Sequence, residues 1–197
     1  MKTGLVMALL GLIATSTHAG VFAIPKFVSQ RTYSAGIEPE LVLAEPASLG
    51  INAKLQYGLA ESWNVGGAIG NGGGARGFRV GTYSVFDLFP DIEGQPGIGL
   101  AGQAYYNNVN DEGQFELTAI PYLHKALVTE GIEFDPFVAI PMGTRFGTQA
   151  AGGTKAVVSL NVGSRIKQSN HLHYVLEIGV AVQNTDTTMS GGFVYTP

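Results

Sequence analysis

His171-Leu172-His173-Tyr174-Val175-Leu176-Glu177-Ile178-Gly179-Val180-Ala181-Val182-Gln183 divides onto two faces at a period of two. Leu172, Tyr174, Leu176, Ile178, Val180 and Val182 form one face. His171, His173, Glu177, Gly179 and Gln183 form the other, interrupted only by Val175 and Ala181. A period of two belongs to an extended strand, because successive side chains of a strand point to opposite sides. The same division recurs along the chain. It predicts ten strands, at 33–43, 51–59, 63–70, 77–89, 98–106, 115–127, 134–146, 154–167, 171–183 and 188–195, with eight as the alternative.

The segments between these runs carry turn chemistry: Glu61-Ser62, Asn71-Gly72-Gly73-Gly74, residues 90–97, residues 107–113, Glu130-Gly131, residues 147–153, Gln168-Ser169-Asn170 and residues 184–187. No helix-period stretch or linker marks a second domain. Residues 1–19 read as a targeting segment, with Lys2 as its charge, an apolar run from Leu5 to Ile13, and Thr17-His18-Ala19 as a small-residue cleavage site. Cleavage there would leave 20–197 as one domain, in which no run of ~18 apolar residues could form a spanning helix.

Alternating strands suit either a soluble barrel of the lipocalin kind or a barrel in a membrane, and composition decides between them. Charged residues make up 13% of the chain, about half the ~25% usual in soluble domains. The charges also fall on one face: Glu38, Glu40, Asp87, Glu116, Asp135 and Glu177 against Lys54, Arg79, Arg145, Lys155, Arg165 and Lys167. The opposite face is apolar, as in Ile51, Ala53, Leu55 and Tyr57, or Ala156, Val158, Leu160 and Val162. Lys125 is the exception, near enough to a strand end to extend its ammonium out of lipid. So few charges are sparse for an exterior in water and sensible for a lumen. The expected fold is an all-β, antiparallel transmembrane β-barrel of an outer membrane, its lumen filled or very narrow at this strand number. Balanced opposite charges inside it predict ion pairs across the lumen, because a confined charge without a partner is costly.

The stretch Leu55-Gln56-Tyr57-Gly58-Leu59-Ala60-Glu61-Ser62-Trp63-Asn64-Val65-Gly66 resembles the strand, short turn, strand unit of the small outer-membrane β-barrel proteins of Gram-negative bacteria, with Tyr57 and Trp63 placed for an interfacial girdle. The resemblance covers essentially all of 20–197. Phe193-Val194-Tyr195 supplies the aromatic close of the last strand that the class uses, although Thr196-Pro197 follows and Gly191 sits one place off the usual spacing. The resemblance implies partners in outer-membrane lipid, lipopolysaccharide and the barrel-insertion machinery. With the amino terminus in the periplasm, Glu61-Ser62, Glu130-Gly131 and 168–170 become inner turns.

Several residue groups could carry chemistry. His171 and His173 at i, i+2 could hold a metal, but polar residues are ordinary beside a turn. His124 could activate Ser159 as a nucleophile, and is read instead as a member of a lumen hydrogen-bond network. Asn107-Asn108-Val109-Asn110-Asp111-Glu112 concentrates oxygen ligands for calcium or for lipopolysaccharide bridging, which turn formation explains as well. Asn71-Gly72-Gly73-Gly74-Ala75-Arg76-Gly77 lacks the Lys-Ser/Thr and the helix start of a phosphate loop. The absence of cysteine excludes thiol and Cys-zinc sites, and a net charge of −4 without a basic block speaks against nucleic acid. The expectation is a non-enzymatic barrel without cofactor, structural or porin-like. Small residues on its apolar face, Ala35, Gly67, Gly102, Ala104 and Ala119, would let a second copy or lipid chains pack closely. A lipid-modifying enzyme and a surface adhesin or receptor are the alternatives.

Overall fold

The computed structural model describes residues 28–43, 47–73, 77–109, 112–147 and 153–197. The expected targeting segment and Arg76 lie outside them. Twelve strand segments follow one another: β1 Tyr33–Val42, β2 Ser48–Ala60, β3 Trp63–Gly72, β4 Arg79–Phe89, β5 Gly97–Val109, β6 Glu112–His124, β7 Leu127–Thr129, β8 Ile132–Ala139, β9 Met142–Gly147, β10 Lys155–Lys167, β11 Leu172–Gln183 and β12 Thr188–Tyr195. Each pairs antiparallel with its neighbours, and β12 pairs back onto β1 from Ala35↔Tyr195 to Val42↔Thr188. That last ladder closes the sheet, so it has no free edge.

Ten staves account for the twelve segments. β8 and β9 are one stave, since both lie between β6 and β10. The interruption is Ile140-Pro141, where proline cannot donate to the ladder. Bonding continues around it, with Ile140 N donating to Pro121 O at 3.0 Å and Pro141 O accepting from Ser159 N at 3.0 Å. Alternation also survives: Ala139 and Pro141 are buried while Ile140 and Met142 face out. β7 continues the stave of β6 beyond Lys125-Ala126 and turns into β8 through Glu130 at φ 52° and Gly131 at φ 83°, the left-handed pair of a two-residue hairpin.

One expectation changes here. The external loop expected at 107–113 is largely strand, because Asn107↔Gln114, Asn108↔Gly113 and Val109↔Glu112 pair in register. Asn107 is buried in the lumen wall. Asn110 and Asp111 fall outside the described residues. Lys125 stands just past the end of β6, and its ammonium is taken up by the turn between β4 and β5. Its Nζ donates to Asp91 Oδ1 at 2.6 Å, to Ile92 O at 2.7 Å and to Gln95 O at 3.1 Å, and Asp91 Oδ2 accepts from Ala126 N at 2.7 Å. One ammonium thereby folds the long turn between β4 and β5.

The barrel is apolar outside and polar inside. Leu49, Ile51 and Leu55 of β2, Leu160 and Val162 of β10, and Leu176, Ile178 and Val180 of β11 are exposed. Asn52, Lys54 and Gln56, Ser159 and Asn161, and His173 and Glu177, their alternating neighbours, are buried. The lumen also has an apolar sector in which Tyr83, Val85, Ala101, Ile120, Tyr122, Phe137 and Ala139 pack together. The rings of this sector and that of Tyr105 lie over glycines of adjacent staves: Tyr83 over Gly66, Tyr105 over Gly81, Tyr122 over Gly99 and Phe137 over Gly163, each so close that a Cβ would collide with the ring. Inward glycine thus makes room for an inward aromatic next door, which fills a narrow barrel and relieves the crowding of its curvature.

Candidate functional site in the lumen

Parity along the strands brings most of the expected lumen charges together in separate clusters. In the first, Lys54 on β2 is paired with Glu38 on β1. Arg79 on β4 reaches across to Glu40 on β1 at 3.0 Å and also donates to Asn52. Asn52 in turn donates to Glu40 at 3.2 Å. In the second, Arg145 on β9 binds Glu116 on β6 through Nη2 at 2.6 Å and Nε at 3.0 Å. Arg145 and Glu116 are direct neighbours in the ladder. In the third, Arg165 on β10 binds Asp135 on β8 at 2.7 Å, and the other oxygen of Asp135 meets His124 Nδ1 at 3.2 Å.

The remaining members stand differently. Glu177 pairs with no arginine. One of its oxygens accepts from Asn161 Nδ2 at 2.6 Å, and Asn161 Oδ1 accepts from Ser159 Oγ at 3.0 Å. Lys155 is exposed at the start of β10, outside the buried clusters. Asp87 is half-buried, with Oδ1 lacking a hydrogen-bond partner. Lys167 pairs at the rim with Glu133 at 2.7 Å, an acid the sequence reading left outside its strand. The neutral members Asn52, Gln56, Gln103 and Thr118 are not among the residues singled out from the sequence, although they occupy inward parity as regularly as the charges.

The catalytic and metal candidates are dispersed. His124 opposes Phe137, which opposes Gly163 on β10, and Ser159 lies four residues further along that strand, ~13 Å at ~3.3 Å per residue. His124 and Ser159 bond to Asp135 and Asn161 respectively. His171 lies outside β11, exposed, with Nδ1 at 2.9 Å from Thr196 O and its ring 6.1 Å from that of Tyr195. His173 is buried on the lumen side. Among the described residues, no group of three or more His, Cys, Asp or Glu side chains could hold a metal.

Val28 and Ser29 lie against the inner wall at β2 and β3. Val28 is 4% exposed. With its amide oriented to satisfy its neighbours, Asn64 donates to Val28 O at 3.2 Å and accepts from Val28 N at 2.8 Å and Gln56 Nε2 at 2.6 Å. Gly58 is the only residue type that fits beside this segment, because the carbonyls of Val28 and Ser29 occupy the place of a Cβ. Arg31, at φ 64°, turns the chain from this contact into β1. A void lined by Ser34, Glu38, Lys54, Gln56 and Tyr83 measures only about 10 Å³. The outer surface carries a different feature, a shallow open groove of about 980 Å³ floored by Gly67, Thr82, Ser84, Gly102, Ala104 and Ala119.

A closed ten-stave sheet with its apolar groups outward and most of its strand charges inward in ion pairs has the architecture of a transmembrane β-barrel. Solved structures similar to this chain include a de novo designed transmembrane β-barrel (10% identity, 86% of this chain and 98% of that one, TM-score 0.44). They also include the β domain of the Bordetella autotransporter BrkA (10%, 86% and 100%, 0.47). A third is the N-terminal β-barrel domain of Pseudomonas aeruginosa OprF (10%, 86% and 100%, 0.35). No protein-family model and no curated protein matches the chain.

Proposed function

We propose that this chain is an integral outer-membrane barrel with a closed lumen, structural and lipid-organising in role. The observation that carries this reading is the filled interior. Tyr83, Tyr105, Tyr122 and Phe137 project into it over glycines, and ion-paired arginine and lysine side chains bridge much of the rest. Barrels of this strand number have little interior to spare even with ordinary side chains. The apolar exterior requires a lipid surround, and the small-residue groove gives lipid chains or a second copy a place to pack. With both described ends of the ladder, Tyr33 and Tyr195, at one rim, the short turns Glu61-Ser62 and Glu130-Gly131 lie at that same rim and face the periplasm, reached after removal of the targeting segment.

Single-channel recording across planar bilayers tests the reading. Purified, heat-modifiable barrel should insert without discrete conductance steps. Reproducible steps that change in size or ion preference in Asn161→Arg, a lumen-wall substitution, would establish the porin-like alternative instead.

A further inference from the structure

We propose that the lumen wall formed by β10, β11 and β12 holds one monovalent metal cation, ligated by the Glu177 carboxylate, the Thr188 hydroxyl and the Asn161 side-chain oxygen. Glu177 is 2% exposed, and its Oε2 lacks a hydrogen-bond partner, while Oε1 is held by Asn161. Thr188 is fully buried and its Oγ1 is likewise unpartnered. The two strands meet at Gly179↔Thr188. The position a Cβ would take on Gly179 lies 2.8 Å from Thr188 Oγ1 and 3.3 Å from Asn161 Oδ1. Thr188 Oγ1 and Asn161 Oδ1 thus both lie against the inward side of Gly179, and the same Asn161 bonds the carboxylate through Nδ2.

Charge supplies the second reason. The ionisable groups that face Glu177 across the lumen are Lys54, Glu38 and Glu40. Lys54 is held by Glu38, and Glu40 is matched by Arg79. On its own side stand the neutral Asn161 and Ser159 on β10 and Thr188 and Ser190 on β12, and Arg165 on β10, which Asp135 already holds. Three carboxylates therefore stand against two cationic side chains, and a buried carboxylate without a counter-charge is costly. Hydroxyl, amide and carboxylate oxygens suit a hard cation. A single unmatched negative charge suits a monovalent ion, since divalent sites generally recruit more carboxylates and more oxygens. The inference does not depend on whether the lumen conducts.

The test is urea unfolding of the detergent-solubilised full chain, followed through Trp63, in sodium or potassium chloride and in choline chloride at equal ionic strength. The wild-type midpoint should be higher in at least one alkali salt than in choline. That difference should vanish in Glu177→Gln and shrink in Thr188→Val, which keeps the carboxylate. Equal wild-type midpoints in all salts would overturn the proposal. So would a difference that persists in both variants, which puts the ion elsewhere, or a midpoint that follows pH but not the cation, which assigns the counter-charge to a proton. If Glu177→Gln does not fold, sodium NMR on the wild type decides. Line broadening beyond that of the unfolded chain, relieved by potassium, is expected, and its absence overturns the site.

Discussion

Inside this barrel an arginine is worth what its carboxylate would lose without it. Replacing Arg145 with alanine strands Glu116 in a wall where both side chains are at most one-tenth exposed, at a cost of ~3 to 5 kcal/mol. Lys167 and Glu133 form an equally short pair at the rim, each about one-third exposed, and Lys167→Ala should cost ~0 to 1 kcal/mol. Urea midpoints compare them directly, and similar losses from both would mean that the lumen is hydrated enough to screen its pairs. Glycine matters at the same scale. The three atoms nearest to a Cβ on Gly99 belong to the ring and hydroxyl of Tyr122. Gly99→Ala should therefore slow folding and lower stability, and Tyr122→Leu should restore much of the loss. A lack of rescue would show that Gly99 answers a backbone need. Inward parity made the charged residues legible in the sequence, whereas this ring-over-glycine contact joins two staves and follows from the register that sets Gly99 opposite Tyr122.

Strand alternation makes the two faces of one element separately testable. Leu160 is exposed and Asn161 buried on β10. Near the bilayer midplane Leu160→Arg should cost ~2 to 4 kcal/mol, while Asn161→Arg, beside Glu177, should fold with a smaller penalty. The reverse order of stabilities, measured by refolding into lipid vesicles, would put the barrel inside out. Turns carry their own chemistry. Partial burial of Asp91 works against its charged form, but bonds from Lys125 and the Ala126 amide, with the positive fields of Lys125 and His124, outweigh it and hold the carboxyl below its ordinary range. A folded-state value below the unfolded ~3.9 means that the clamp's contribution is present above that pH and is lost as pH falls through the lowered value. Hydrogen exchange at the Ala126 amide should stay slow at neutral pH and accelerate in strong acid, and in Lys125→Ala it should already be faster at neutral pH. An amide indifferent to both changes would remove the clamp. The partner of Lys125 was not legible in the sequence, because it lies 34 residues away, in a turn that periodicity does not describe.

For the molecule as a whole, the sequence by itself determined which way each strand faces and that the staves close into a barrel for lipid. Side-chain parity is a local property, and a face of Leu160, Val162, Leu176 and Ile178 opposite Asn161 and Glu177 admits one solvent arrangement once charge is scarce. Even the stave broken at Ile140-Pro141 was legible, since a proline interrupts one donor without shifting the alternation. The tertiary structure alone decided the partners. Whether Arg79 meets Glu40 rather than Glu38, why Glu177 lies against an amide rather than an arginine, and how Val28 comes to be held by Asn64 all depend on register and tilt around a closed ring. The pairing of β1 with β12 sets that register for every stave between them. No alternation along a single strand encodes it, because the energy that selects it is shared among all the ladders at once.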